Sequence, residues 1–159
     1  MTAAANSNIQ ARTDHREFVS FTVADQLFGI PVLQVQDVLG PQPIARIYLA
    51  PPEIAGSLNL RGRIVTAVDI RHRLGLPRVE HPEQSMSIVV EHGGDLYSLI
   101  VDQVGEVLSL SSATFENNPP TLDPRWREMS AGVYRLEGRL LVVAEIARLL
   151  AFLPNVKAA

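Results

Sequence analysis

At 159 residues, 47% of them hydrophobic, the chain is long enough for one compact domain or two very small ones around a real core. Its 14 basic and 17 acidic residues leave a net charge of −3, which excludes the basic footprint of nucleic-acid or anionic-lipid binding, and no apolar run approaches the roughly 20 residues of a membrane helix. The lack of cysteine excludes a disulfide framework, a thiolate metal site and a thiol nucleophile, so the expectation is a soluble cytoplasmic protein with no nucleic-acid partner and no direct membrane insertion.

In chain order, residues 1–16 are rich in Ala, Asn, Thr and Ser without an apolar stretch, and are expected to form a disordered N-terminal tail. Phe18-Val19-Ser20-Phe21-Thr22-Val23 is a β-branched and aromatic run closed by Ala24-Asp25-Gln26, which predicts a strand and a hairpin turn, with Leu27 to Val32 as the returning strand. Arg61-Gly62-Arg63 sits between apolar segments where glycine can take positive φ, and Ile70-Arg71-His72-Arg73-Leu74 predicts a short helix stopped by Pro77. The pattern then returns. Ser87-Ile88-Val89-Val90 and Leu96 to Val101 flank a turn at His92-Gly93-Gly94-Asp95, Pro119-Pro120 and Asp123-Pro124 mark a surface loop, and Glu137-Gly138-Arg139 is a second glycine turn. Glu145 to Phe152 predicts a closing helix stopped by Pro154, with residues 154–159 as a C-terminal tail.

This return is a duplication. Leu27 to Leu39 (LFGIPVLQVQDVL) aligns without a gap on Leu96 to Leu108 (LYSLIVDQVGEVL), and Leu60 to Leu76 (LRGRIVTAVDIRHRLGL) aligns on Leu136 to Phe152 (LEGRLLVVAEIARLLAF), in the same order in both halves. About five short strands per half cannot bury both faces of an open sheet, so two small barrels side by side are expected, one over about 17–83 and the other over about 84–153.

Residues that could carry chemistry are sparse. His15, His72, His81 and His92 have no spacing that joins two on one metal, and the known phosphate-loop, nucleophile-elbow and dyad patterns are missing, so no cofactor is expected. Asp69 and Asp102 keep an enzymatic alternative open, which needs a deep polar cleft and a carboxylate of raised pKa. Recurrence of acidic positions across the halves, Asp37 with Glu106 and Asp69 with Glu145, fits turn or helix caps instead. Trp126 reads as a core plug more readily than an interface anchor. A peptide binder for Pro-rich ligands would need an exposed aromatic shelf that 6% aromatic residues hardly supply. Arg61 stands apart, because its counterpart is Glu137 while the neighbouring Leu, Gly and Arg are kept.

From Phe18 to about Leu153 the chain resembles the CheW family, coupling proteins of bacterial chemosensory arrays. The resemblance is carried by Phe28-Gly29-Ile30-Pro31-Val32 with Val35-Gln36-Asp37-Val38; by Gly56-Ser57-Leu58-Asn59-Leu60-Arg61-Gly62-Arg63-Ile64-Val65 with Val68-Asp69-Ile70-Arg71; and by Val101-Asp102-Gln103-Val104 with Glu106-Val107-Leu108. It implies an all-β fold with short helices, two intertwined SH3-like five-stranded barrels, and a non-catalytic adaptor. The partners it implies are the regulatory domain of a CheA-type histidine kinase, docked at a barrel end, and the cytoplasmic hairpin tip of chemoreceptors, received in a groove between the barrels; the adaptor would reach membrane arrays through them. Receptor contact is carried to Val35, Asp37, Arg61 and Val107, with Gly56, Asn59 and Gly62 shaping the turn and interface. A flagellar chemotaxis pathway is the first expectation and a system for pilus motility or biofilm control the alternative. The chain departs from the family pattern at Thr66-Ala67, where Pro-Val is usual, at Asp37 in place of Glu, at Ser98 in place of Gly, and at Ala144-Glu145 in place of Leu-Asp.

Overall fold

The computed structural model describes residues 14–153. The first half contributes β1 (His15–Val23), β2 (Gln26–Pro31), β3 (Val35–Leu39), β4 (Ile54–Leu60), β5 (Arg63–Asp69) and the single helical turn α1 (Ile70–Arg73). The second contributes β6 (Met86–His92), β7 (Asp95–Val101), β8 (Gln103–Ser111), β9 (Phe115–Glu116), α2 (Pro124–Arg127), β10 (Ser130–Leu136), β11 (Arg139–Ala144) and α3 (Ile146–Leu149). Three expectations need correcting at their edges. The first strand starts at His15, inside the expected tail, because His15–Glu17 pair with Ser109–Ser111 of β8. The loop at Asp123-Pro124 is a helical turn, with Pro at its start and the Asp123 carboxylate accepting from the Arg125 amide at 2.9 Å. The closing helix is only Ile146–Leu149, and the C-terminal tail with Pro154 lies outside the described residues.

The strands form two sheets, a six-stranded one ordered β8-β1-β2-β11-β10-β9 and a five-stranded one ordered β3-β6-β7-β5-β4. Exchanging the halves maps one order on the other, and the isolated bridge between Ala45 and Ser57 stands where β9 stands in the second copy. Each sheet therefore mixes both halves. The boundary at 83/84 separates the two sequence copies and not the two sheets: β1 and β2 belong with β8 to β11, and β3 to β5 belong with β6 and β7. After β2 the strand that follows crosses to the other sheet instead of turning back, which no local propensity records.

Alternation along the inner strands explains their unbroken apolar character. On β7, Leu96 and Ile100 face the interior of the five-stranded sheet with Leu39, Leu58, Val65, Ala67 and Val89, while Tyr97, Leu99 and Val101 face the other sheet. On β11, Leu141 and Val143 join Phe18, Leu27 and Tyr134 inside the six-stranded sheet, while Val142 and Ala144 face across. The residues facing across from both sheets merge into the largest core, in which Phe28 stacks on Phe21 (5.3 Å between centroids) and meets Trp126 edge-on at 5.4 Å. Trp126 is thus a core residue. Ser98, between Ala67 and Val89 in register, buries a hydroxyl with no hydrogen-bond partner among the described residues, a desolvation cost that glycine or alanine would not carry.

Candidate functional site

The β4–β5 hairpin turns through two residues, with Leu60 opposite Arg63 and both Arg61 (φ 52°) and Gly62 (φ 86°) in the left-handed region. That geometry matches the twist of paired strands and suits Gly62, but it strains an arginine. The Asn59 side-chain oxygen accepts from the Gly62 amide at 2.8 Å and holds the turn. In the other copy Gly138 is left-handed (φ 75°) and Glu137 is not among the positive-φ residues, so the first turn alone places a strained charged residue at its tip.

From there the Arg61 Nη2 donates to Asp37 Oδ2 at 3.0 Å, and Asp37 Oδ1 accepts from the Val38 amide at 2.8 Å. In a flat sheet this turn would stand at least three interstrand spacings, roughly 14 Å, from β3. The bond therefore requires the five-stranded sheet to curl, bringing the β4–β5 turn within an arginine's reach of β3. The Arg61 side chain is 79% exposed, so the pair adds little stability; its effect is to aim a guanidinium. Ile64, opposite Asn59, is 69% exposed and Val38 is 39% exposed, which borders the pair with apolar surface. Those two residues escaped sequence reasoning. The signal was the consecutive pair Ile64-Val65 in a half-buried strand, where alternation forces one of them outward.

Asp37, Asn59, Arg61 and Gly62 therefore come together, and Val35 lies at the start of the same strand as Asp37. Val35 is half-buried against the shared core, so only part of it faces solvent. Val107 is 55% exposed but sits on β8, the edge of the other sheet, opposite Val19. Gly56 does not belong to the Arg61 turn. It is buried at a bulge in β4, where it admits the incoming segment so that Ala45 and Ser57 exchange backbone bonds of 2.8 and 2.7 Å.

The seam between the sheets is filled by the side chains of the shared core. The two aspartates of the enzymatic alternative are both occupied. Asp69 is buried and caps α1, accepting from the His72 and Val79 amides at 3.1 and 2.8 Å. It lines a cleft of about 350 Å³ with Arg46, Ile54 and Val79, beside the exposed Ile47-Tyr48-Leu49 segment. Asp102 accepts two bonds of 2.7 Å from Arg71 and one of 2.8 Å from the Ala24 amide. Burial pushes its carboxyl pKa up, but the Arg71 and Ala24 bonds outweigh burial and hold it below the ordinary 3.8, while the Asp102 bond raises the Arg71 guanidinium. A depressed carboxylate is the reverse of what the enzymatic alternative requires of it. Because the folded-state value is the lower one, its contribution to stability is complete above the unfolded value and is lost as pH falls through the folded value. Asp102→Asn is therefore expected to be less stable than the parent by a constant amount near neutral pH, with the gap closing below 3.8, as followed by urea unfolding at a series of pH values.

Among the described residues, no histidine and carboxylate cluster could hold a metal, and no helix is long and apolar enough to cross a membrane. Comparison with known proteins agrees with the geometry. The family model described as CheW-like domain matches residues 17–153. The chemotaxis protein CheW of Klebsiella aerogenes is 32% identical over 91% of this chain and 87% of its own length, and that of Rhizobium meliloti is 30% identical over 82% and 84%. The PilI protein of Pseudomonas aeruginosa is 27% identical over 78% and 70%. Among solved structures, the scaffolding protein TtCheW of Thermoanaerobacter tengcongensis superposes with a TM-score of 0.75 at 28% identity, covering 85% of this chain and 92% of that one. Two sheets built from interleaved halves and a family match spanning nearly every described residue lead to one assignment: the chain belongs to the CheW-like family.

Proposed function

We propose that this protein couples chemoreceptors to a CheA-type histidine kinase, receiving the receptors' cytoplasmic hairpin tip on the surface around Asp37 and Arg61 and the kinase regulatory domain at a sheet end. It is a non-catalytic chemotaxis adaptor of the CheW family, so binding energy is its only instrument. The observation that carries the receptor site is the exposed Asp37–Arg61 pair held by a strained turn and flanked by Val38 and Ile64. An amphipathic helical tip supplies apolar anchors for such a border and polar groups for a guanidinium. In this reading the protein sits at membrane receptor arrays through its partners.

Arg61→Ala is expected to leave the fold intact and to cost about 1–3 kcal/mol of partner binding, as loss of an interface arginine often does. Titration against a receptor-tip fragment and a kinase fragment measures it, and unchanged affinity for both would remove Arg61 from the site. The likeness to PilI motivates a second reading, in which the same adaptor serves a pilus-motility system. Which kinase co-purifies with the protein separates the two.

A further inference from the structure

The chain passes between the sheets at two places, from β2 to β3 through Val32–Gln34 and from β7 to β8 through Asp102. Leu33 and Asp102 are equivalent positions of the repeat. Elsewhere the sheets are held face to face by the shared apolar core, whose attraction is non-directional and scales with area. Interdigitated side chains in such a core resist separation and large slides, but small rotations of one sheet on the other change the buried area little. Directional bonds have to select one placement.

Two arginines of α1 supply such bonds. Arg71 grips both oxygens of Asp102 at 2.7 Å, and that carboxylate also accepts from Ala24 in the β1–β2 turn, while the Asp102 amide donates to the Thr22 carbonyl at 3.0 Å. Arg73 donates to the Leu149 and Arg148 carbonyls at 2.7 and 2.8 Å at the end of α3, where the Arg148 carbonyl also accepts from the Ala151 amide at 3.3 Å. Its guanidinium lies 5.7 Å from the centre of the Phe152 ring. α1 follows β5 of the five-stranded sheet, whereas Ala24, Thr22 and α3 belong with the six-stranded sheet. At the equivalent positions of the second copy stand Ala147 and Leu149, which have no side-chain donor. Like Arg61, both arginines are unrepeated.

We propose that α1 is a two-armed clamp in which Arg71 and Arg73 are positioning residues: they fix how the sheets sit on each other and so hold the Asp37–Arg61 pair of one sheet at a set distance from Val107 of the other. The role of that distance in docking rests on the adaptor reading. The clamp itself needs no partner to be measured.

Since the chain has no cysteine, spin labels at Gln36→Cys on β3 and Ser109→Cys on β8, both exposed, report the placement of one sheet against the other by pulsed electron–electron resonance. The otherwise unchanged protein is expected to give one narrow distance distribution. Arg71→Met/Arg73→Met, which keeps the apolar stems, is expected to broaden it about twofold with the far-ultraviolet circular dichroism retained, and to weaken binding of a receptor-tip fragment about tenfold although Asp37, Arg61 and Val107 are intact. An unchanged width, or a broadened one with unchanged affinity, overturns the proposal. If the double variant does not fold, Arg73→Met alone is read the same way, with a smaller broadening expected. Failure of the parent to bind the receptor tip would instead strike the adaptor reading and leave the distance measurement to judge the clamp.

Discussion

Gly56→Ala is expected to lower the stability of the folded protein by about 3 kcal/mol or more, from backbone strain and overpacking together. At φ 152° the residue occupies a region that side chains rarely adopt, and a Cβ there would collide with the Ala45 carbonyl oxygen and approach Ile44 Cγ2 to 2.7 Å. A backbone carbonyl cannot swing away. It is also bonded to Ser57, so relief would break the bridge that closes this edge of the sheet. The equivalent Gly132→Ala meets the Phe115 ring and the Glu116 carbonyl, and should cost less because both belong to β9, a two-residue strand at the sheet edge that can shift as a unit. Gly62→Ala, with φ 86° and open space around it, carries strain alone and should cost about 1–2 kcal/mol. Urea unfolding of the three variants gives the ranking, and Gly56→Ala close to Gly62→Ala would show that the approach of Ala45 is not the constraint.

Phe28→Ala is expected to cost about 3–5 kcal/mol, the range for emptying a buried aromatic site. Phe28 is fully buried at the centre of the core shared by both sheets, between Phe21 and Trp126. Because that core takes residues from β1, β2, β5, β6, β7, β10 and β11, its loss weakens both sheets together, and unfolding should remain a single transition for parent and variant. Two separated transitions would mean that each sheet folds by itself and that the seam is a mere contact between domains.

Much of the architecture was legible locally. The Phe18–Val23 and Ser87–Val90 runs, the turns at Ala24-Asp25 and Gly93-Gly94, and the helical turn after Asp69 all stand where β-branched content, left-handed residues and an Asp cap put them. The duplication was equally plain in the two ungapped alignments. Its consequence was not, because a tandem repeat of five strands is compatible both with two self-contained barrels and with two that exchange strands. Which sheet β3 joins depends on a three-residue crossing and on distant pairings with β6.

The candidate site divides along the same line. That Arg61 is special was visible from its unrepeated charge, and that Asn59 and Gly62 form its turn follows from their spacing. That Arg61 reaches Asp37, twenty-four residues earlier, follows only from the curl of the sheet. Gly56 looked like part of the same turn and proved to be a bulge residue, since the segment that demands its missing side chain, at Ala45, is close in space through a long connection.

By itself the amino-acid order determined the alphabet of this protein: which stretches extend, where they turn, that the pattern occurs twice, and which charges break the repeat. These are properties of neighbouring residues, governed by sterics and by the two-residue period of a strand. Only the tertiary structure decided which strands share a sheet, that the seam is filled, and that α1 binds one sheet to the other. Those outcomes depend on summed burial and on bonds between groups far apart in the chain, and no local window contains them.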